Sequence, residues 1–315
     1  MHRASTVSAI FFLLVCAGNP AAGQETAGCA LTRFADVDIS VTKDNITFPM
    51  IIDEMPAIAV LDLKNAFNMT TRANSDKFDL TVRSLDTRLR PATPEGEITS
   101  YARQISVKIG LVRLALDALL YPTDDELEGA DIALGMSAFS NVDLELDFAN
   151  SKLFLYSQDH CEGEVVYWAD RYGRVPLRDG QFGQFLVMEL DGKKIQTSIA
   201  TDTNATALDG AALSRIYGIG ADVLGEGQDH FLFMSLTAEG VEVMGANIAI
   251  EKDDGYDCGL QTSLGEDDAA GYTSCGNLYP LKLGLDVLQQ MHVYFAMGEQ
   301  MMYFTAADAR RSSAQ

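Results

Sequence analysis

Two aspartates occur at similar places in two similar stretches of this 315-residue chain. Asp62 ends the apolar run Ile58 to Leu61, and Asp202 follows a second apolar run, Ile199 to Thr201. Two carboxyl groups held close together cannot both ionise and must share a proton. If the fold joins these two aspartates, the pair is suited to acid–base chemistry on water.

Each aspartate is followed by an apolar-Leu-Gly element, which ends at Gly135 in the first stretch and at Gly284 in the second. Each of these glycines leads into a segment of β-strand character, Val142 to Tyr156 and then Met291 to Phe304. This repetition predicts two copies of one supersecondary unit. A pseudo-twofold axis between the copies would bring the two aspartates together.

The pattern along the chain is dominated by β-strands. Alternating apolar and polar residues predict strands at Phe34–Val41, Ile46–Ile52 and Asp143–Tyr156. Asp191-Gly192 is the turn of a predicted hairpin between Phe185 and Ala200. We interpret the apolar stretch Ile105–Leu120 as one or two strands with Gly110 at a turn. A helix is the alternative, since periodicity alone does not decide between them.

The first residues are typical of an export signal. His2 and Arg3 precede an apolar run, Val7 to Ala17, that is too short to span a bilayer, and small residues follow it. We predict a signal peptide at 1–23, with a lipid anchor on Cys16 as the alternative. No other segment is apolar and long enough to span a membrane, so we expect an exported protein, periplasmic or secreted.

The remaining chain divides into a first lobe at 29–161, a linker at 162–174, a second lobe at 175–305 and a polar tail at 306–315. Without the signal peptide the chain keeps four cysteines, Cys29, Cys161, Cys258 and Cys275. An even number in an oxidising compartment predicts two disulfides. Three pairings are possible, of which we favour Cys29–Cys161 and Cys258–Cys275.

Charge and ligand patterns exclude several classes of function. The net charge of −22, without a cluster of Lys and Arg, argues against binding to nucleic acid. His160, His230 and His292 show no metal-ligand spacing, and there is no Cys-x-x-Cys motif. We therefore predict neither a metal site nor a cofactor.

The residues around the two aspartates carry a family resemblance. The segment Asp202-Thr203-Asn204-Ala205 resembles the Asp-Thr-Gly-Ala motif of the pepsin/retropepsin-like aspartic peptidases, and Leu283-Gly284 resembles the apolar-Gly element that crosses behind it. In the first lobe, Asp62-Leu63-Lys64-Asn65 and Leu134-Gly135 stand in the corresponding places. The chain resembles in particular the two-lobed versions of this family that bacteria export.

This resemblance implies an all-β, bilobal pepsin-like fold with two related β-barrel-like lobes and a central cleft. It also implies that Asp62 and Asp202 face each other as the catalytic pair that activates water for peptide-bond hydrolysis. A peptide or unfolded protein would be the partner in the cleft, under a flap-like hairpin near Gly96 and Thr99. We expect a monomer.

The departures from the motif bear on activity. Family threonines brace the two Asp loops by hydrogen bonds; Thr203 keeps this group and Leu63 lacks it. Asn204 and Lys64 replace the family glycines. With Lys64 pointing inward, Asp62 would stay ionised and the shared proton would be lost, whereas with Lys64 in solvent a weakened pair would survive.

Three functions follow from these residues. The first is an endopeptidase whose activity we expect to be weakened or lost. The second is a non-catalytic descendant that binds a peptide or protein in the cleft. The third is an exported structural protein whose cleft takes no ligand.

Overall fold

The computed structural model describes residues 30–93, 96–127, 129–180, 183–220, 229–239, 241–251 and 279–310. Short strands dominate these residues, and the longest helix has six residues. Among the helices of the described part, none is long and apolar enough to cross a membrane. The all-β prediction is confirmed.

The first lobe contains the following elements, in chain order: β1 (Arg33–Asp38), β2 (Ser40–Val41), β3 (Ile46–Ile52), β4 (Met55–Leu61), β5 (Asn68–Thr70), α1 (Arg72–Lys77), β6 (Val82–Ser84), β7 (Ala92–Thr93), β8 (Gly96–Glu97), β9 (Ser100–Ile109), β10 (Val112–Leu120), β11 (Ile132–Leu134), β12 (Asp143–Asp147) and β13 (Lys152–Tyr156). Short 3₁₀ turns occur at Thr87–Leu89, Asp125–Leu127 and Met136–Phe139.

The second lobe repeats this plan with β14 (Gly173–Pro176), β15 (Arg178–Gly180), β16 (Gly183–Leu190), β17 (Lys193–Ile199), β18 (Ala207–Asp209), α2 (Gly210–Ala212), β19 (His230–Ala238), β20 (Val241–Glu251), β21 (Leu281–Leu283), α3 (Leu285–Leu288), β22 (Met291–Ala296) and β23 (Met301–Ala306). A π-helical turn, Leu213–Tyr217, follows α2.

Each lobe closes a small barrel. In the first, the order β3-β4-β11-β5-β10-β9 closes because β3 also pairs with β9. In the second, the order β16-β17-β21-β18-β20-β19 closes because β16 also pairs with β19. The two barrels have the same order of equivalent strands, so the prediction of two related lobes is confirmed. Buried apolar side chains from both barrels form one continuous core.

A six-stranded sheet, β1-β13-β12-β22-β23-β14, joins the lobes. Its central neighbours are β12 of the first lobe and β22 of the second, which run antiparallel with Glu145 opposite Tyr294. The same numbering step relates Gly135 to Gly284 and Glu145 to Tyr294. The pseudo-twofold axis therefore passes between Glu145 and Tyr294.

The face of this sheet that points away from the barrels carries buried polar groups. Asp143 and Glu145 are both fully buried there. Residues 157–172, which we call the strap, cover them. His160 Nε2 lies 2.5 Å from Asp143 Oδ2, and the Tyr167 hydroxyl donates to Glu145 Oε1 at 2.9 Å. The strap thus supplies partners to acids that the sheet buries.

Trp168 fixes the middle of the strap. Its ring stacks on His292 with centroids 3.9 Å apart, and its Nε1 donates to Thr305 Oγ1 at 2.9 Å. His292 Nε2 in turn lies 2.8 Å from Glu145 Oε1. The predicted linker is therefore packed on strands from both lobes.

The bounds and pairing of the strands decide several local predictions. The stretch Ile105–Leu120 lies in β9 and β10, with the turn at Gly110, so the helical alternative is wrong. The Asp191-Gly192 hairpin joins β16 to β17 as predicted. Strand β14, which pairs with β23, begins at Gly173 and therefore within the predicted linker. The short hairpin β7–β8 exists, with Gly96 beside Pro122, and its place over the cleft stays a prediction.

Some predictions concern residues outside the described ranges. They are the signal peptide at 1–23 with its Cys16 alternative, three of the four disulfide candidates, and the end of the polar tail. Cys161 is disulfide-bonded. Because Cys29, Cys258 and Cys275 lie outside the described residues, the favoured pairings stay predictions. The lobe boundaries stay predictions as well.

Candidate functional site between the lobes

Asp62 begins the loop that follows β4. Its backbone N–H donates to the carbonyl of Leu134, the last residue of β11, at 2.9 Å. The chain then crosses behind the loop at Gly135, where an added Cβ would lie 2.4 Å from the Phe67 carbonyl oxygen. Only glycine fits there. Gly135 thus has the supporting role that the family motif implies.

The second lobe repeats this geometry, but with Ala200 in the place of Asp62. The N–H of Ala200 donates to the carbonyl of Leu283 at 2.9 Å, just as Asp62 does to Leu134. Gly284 crosses behind this loop, with an added Cβ 2.5 Å from the Ala205 carbonyl carbon. The backbone therefore makes Ala200 the counterpart of Asp62.

The predicted matching of Asp202 with Asp62 is consequently wrong by two residues. Equivalent positions in the two loops are 138 residues apart, as Leu61 and Ile199 show at the ends of β4 and β17. The counterpart of Asp202 is Lys64. The first lobe keeps the aspartate of the motif, whereas the second lobe has a methyl group there.

The brace between the loops is also displaced from its predicted position. Thr201, which is fully buried, donates its hydroxyl to the Leu61 carbonyl at 2.6 Å and accepts from the Leu63 N–H at 3.0 Å. Thr203, predicted to brace the loops, instead offers its carbonyl to the Leu285 N–H. Leu63 contributes only its backbone, so the hydroxyl brace runs from the second lobe to the first.

Lys64 and Asp202 form an ion pair across the seam between the lobes. The Lys64 ammonium donates to Asp202 Oδ2, and each side chain is about one-third exposed, at 34% and 32%. Lys64 therefore points inward, but its direct partner is Asp202. Asp62 is 5% exposed and accepts through Oδ2 from the Asn65 amide.

The two carboxylates do lie near each other. Burial first, and then the negative charge of Asp202, raises the pKa of Asp62 from 3.8 to about 6. The ammonium of Lys64 and the bonds from Asn65 oppose this rise without cancelling it. Lys64 inward was expected to keep Asp62 ionised. Lys64 does favour the ionised form, but the loss of solvation on burial outweighs it, so the pKa of Asp62 lies above its ordinary value and Asp62 is ionised only above about pH 6.

Burial lowers the pKa of Lys64, but the carboxylates of Asp202 and Asp62 raise it by more. The net pKa of Lys64 is therefore raised, and the residue keeps its proton at neutral pH. A protonated lysine is a poor nucleophile. Its role here is that of a fixed positive charge.

The remaining motif residues support the second loop. The carbonyl of Asn204 accepts from the Asp286 N–H at 2.8 Å, and the carboxylate of Asp286 accepts from the Thr206 N–H and hydroxyl. Ala205 packs its backbone against Gly284. Among the described residues, no group of three or more His, Cys, Asp or Glu side chains could hold a metal ion.

A cavity of about 400 Å³ adjoins the first loop. Phe67 of this loop, Tyr101 and Gln104 of β9, Asp117 of β10 and Ser137 after Gly135 are among its lining residues. Asp117 lies at an irregularity in the pairing of β9 with β10. The cavity is large enough for a side chain of a bound molecule.

Ala200 and Thr201 are the residues that sequence reasoning missed. The signal for them is the end of the apolar strand rather than the next aspartate. Aligning Ile199 with Leu61 puts Thr201 one residue beyond the position of Asp62, which is where the family threonine stands. Because position 202 is also an aspartate, the sequence comparison matched Asp202 with Asp62 and missed this alignment.

One protein family and several solved structures are similar to this chain. Residues 33–160 match the family described as retroviral aspartyl protease. Among solved structures, the chain is similar to an aspartic proteinase from Irpex lacteus, with 9% identity and a TM-score of 0.50 over 87% of this chain and 97% of that one. It is also similar to Basic 7S globulin from soybean, with 9% identity and a TM-score of 0.48 over 89% and 96% of the two chains. No curated protein matches the chain.

Proposed function

We propose that this chain, a pepsin/retropepsin-like protein by its fold and by the match of its first lobe, is a non-catalytic member that binds peptide between its lobes. The observation that carries the proposal is Ala200 at the position equivalent to Asp62. The aspartic mechanism needs two carboxyl groups in equivalent positions, one protonated and one ionised, on either side of a water. Here one of these positions has no carboxyl group.

Asp202 is a poor substitute for the missing partner. Its Oδ2 accepts from the Lys64 ammonium. Asp202 is therefore held in an ion pair, and it lies two residues beyond the position from which the mechanism uses its second carboxyl group. The Lys64–Asp202 pair also occupies the two positions where the family has glycine, which lets the backbone approach bound water closely.

A fold of this kind that lacks the second catalytic carboxyl group can still bind an extended peptide. A cleft between two barrels can take a strand-like segment through backbone hydrogen bonds, with pockets for alternate side chains. The cavity beside Phe67 is one candidate pocket. We also propose that the protein is exported and monomeric, and that its partner is a peptide or an unfolded segment of a protein. The apolar run near the N-terminus and the disulfide at Cys161 support export.

A second candidate is weak hydrolysis by Asp62 alone. The pKa of Asp62, about 6, is suited to a general base near neutral pH. In this case Asp62 would activate water, and Lys64 would stabilise negative charge on the substrate. The two candidates make opposite predictions for the wild-type protein.

Rebuilding the pair tests the proposal. Restoring only Leu63→Thr and Lys64→Gly leaves Ala200 in place, so we expect no gain. The triple variant Lys64→Gly, Ala200→Asp, Asp202→Gly should cleave an unfolded protein at acidic pH, and adding Asp62→Asn to it should abolish that cleavage. The wild type should be inactive throughout. Wild-type cleavage that disappears in Asp62→Asn would contradict the non-catalytic proposal and favour hydrolysis by Asp62.

A further inference from the structure

We propose that the interlobe site binds a cationic side chain, the guanidinium of arginine or the ammonium of lysine, presented by a peptide in the cleft. This inference rests on the proposed function, since it assumes that the cleft takes a peptide. It adds the chemical class of the side chain that reaches Asp62 and Asp202. It replaces the family's water-activating chemistry at this position with ion pairing.

The hydrogen bonding of the two carboxylates is incomplete. In each, one oxygen has a partner, since Asn65 donates to Asp62 Oδ2 and Lys64 donates to Asp202 Oδ2. The other oxygens, Asp62 Oδ1 and Asp202 Oδ1, are buried and have no hydrogen-bond partner in the structure. Asp62 as a whole is 5% exposed. Buried carboxylate oxygens without donors are costly, so this site favours a ligand that brings N–H groups.

The charged groups around the site do not balance. Lys64 is attracted by Asp202, Asp62 and Glu251, and Glu251 is itself paired with Lys282 at 2.6 Å. With Asp62 ionised, this cluster contains three carboxylates and two ammonium groups. One negative charge is left without a partner, at a position that is largely buried.

Below about pH 6 the free protein relieves this excess charge by protonating Asp62, whose pKa burial raises to about 6, but at pH 7 the charge is present. A cationic ligand would relieve it by neutralising the ionised carboxylate directly. A guanidinium carries five N–H donors and an ammonium three, so either group can reach two acceptor oxygens. A neutral amide could donate to the same oxygens but would leave the charge, and an acidic side chain would add to it.

The experiment uses a set of labelled peptides that differ at one central residue. The peptides are uncharged elsewhere, with blocked ends, and carry arginine, lysine, norleucine, glutamine or glutamate in the centre. Fluorescence anisotropy with the full chain at pH 7 gives their affinities. We expect the arginine and lysine peptides to bind about tenfold tighter than the norleucine peptide, and the glutamate peptide to bind most weakly.

Variants separate this site from charge elsewhere. Asp62→Asn and Asp202→Asn should each remove most of the preference for arginine over norleucine, and Lys64→Met should increase that preference. Glu54→Gln, which removes an exposed carboxylate on the same lobe, is the matched control and should change nothing. Lowering the pH from 7 to 5 should weaken arginine binding in the wild type, because Asp62 must lose its proton, but not in Asp62→Asn.

The outcomes are distinguishable. Peptides that bind with equal affinity whatever their central residue would overturn this inference and leave the peptide-binding proposal standing. A preference for arginine that persists in both Asn variants would overturn it as well, since the cation would then bind elsewhere. Absence of binding by every peptide would overturn the proposed function itself.

Discussion

Replacing Asp62 by Asn tests the electrostatics of the interlobe site through stability alone. Burial and the neighbouring Asp202 raise the pKa of this side chain from 3.8 to about 6. Asparagine has nearly the same shape and cannot ionise. Its carbonyl oxygen can still accept the hydrogen bond from Asn65. The variant therefore removes the titration and keeps the packing.

The sign of the effect follows from the two protonation states. In the unfolded chain Asp62 loses its proton near pH 3.8, whereas the folded protein holds it until about pH 6. The stability that this proton gives the folded state is fully present below the unfolded pKa and is lost as the pH rises through the folded pKa. A pKa raised by this amount corresponds to about 3 kcal/mol. Relative to Asp62→Asn, the wild type should lose about 2.5 kcal/mol of unfolding free energy between pH 4 and pH 7, because the unfolded chain is already partly deprotonated at pH 4.

Urea unfolding at pH 4, 5, 6 and 7 measures this difference, with the fluorescence of the single tryptophan, Trp168, as the signal. Asp86→Asn is a control of opposite sign. Hydrogen bonds from Arg88 lower the pKa of Asp86, so its contribution to stability is present at neutral pH and is lost on acidification. The electrostatic account would be refuted if the difference in unfolding free energy between the wild type and Asp62→Asn were the same at every pH. It would also be refuted if this difference favoured the wild type more as the pH rises.

Three further predictions concern packing and hydrogen bonding. Thr201→Val should lower the unfolding free energy by about 3 kcal/mol, measured by urea unfolding, because it leaves two buried backbone groups of the first lobe without a partner. Gly284→Ala should cost at least about 3 kcal/mol, because its Cβ would meet backbone at 2.5 Å, whereas Gly298→Ala, with its nearest atom at 3.5 Å, should cost little in the same assay. Trp168→Phe should lower the unfolding free energy by about 1–2 kcal/mol, followed by circular dichroism, because it weakens the stack on His292 and removes the indole hydrogen bond.

Much of the fold could be predicted from local patterns. The Asp191-Gly192 turn and the alternation around it specify the hairpin β16–β17, because a two-residue turn of this type sets both the pairing and the register. The glycines at 135 and 284 marked the crossing segments, since no other residue fits so close to the loop backbone. The strands predicted for Ile105–Leu120 are confirmed, and the helical alternative is excluded by tertiary pairing, because the barrel closes only if β9 also pairs with β3.

The location of the site could be predicted from the sequence, but the residue-by-residue correspondence between the two loops could not. An aspartate near the end of each apolar strand was a sound signal that the lobes meet there. Which residue faces which depends on backbone hydrogen bonds between β17 and β21, and these are not visible in the residue types. The buried acids of β12 were missed for a related reason. Alternating acids on a strand indicate a solvent-facing side, and only the strap, contributed from elsewhere in the chain, makes that side an interior.

The pairing of Glu145 with Tyr294 at the pseudo-twofold axis makes the two halves of this protein non-interchangeable. A free first half that associated with a second copy of itself through β12 would place Glu145 against its own image. Two carboxylates would then be enclosed face to face, without the imidazole of His292 to bind either of them. Self-association along this strand is therefore opposed by charge repulsion, whereas union with the second half is favoured.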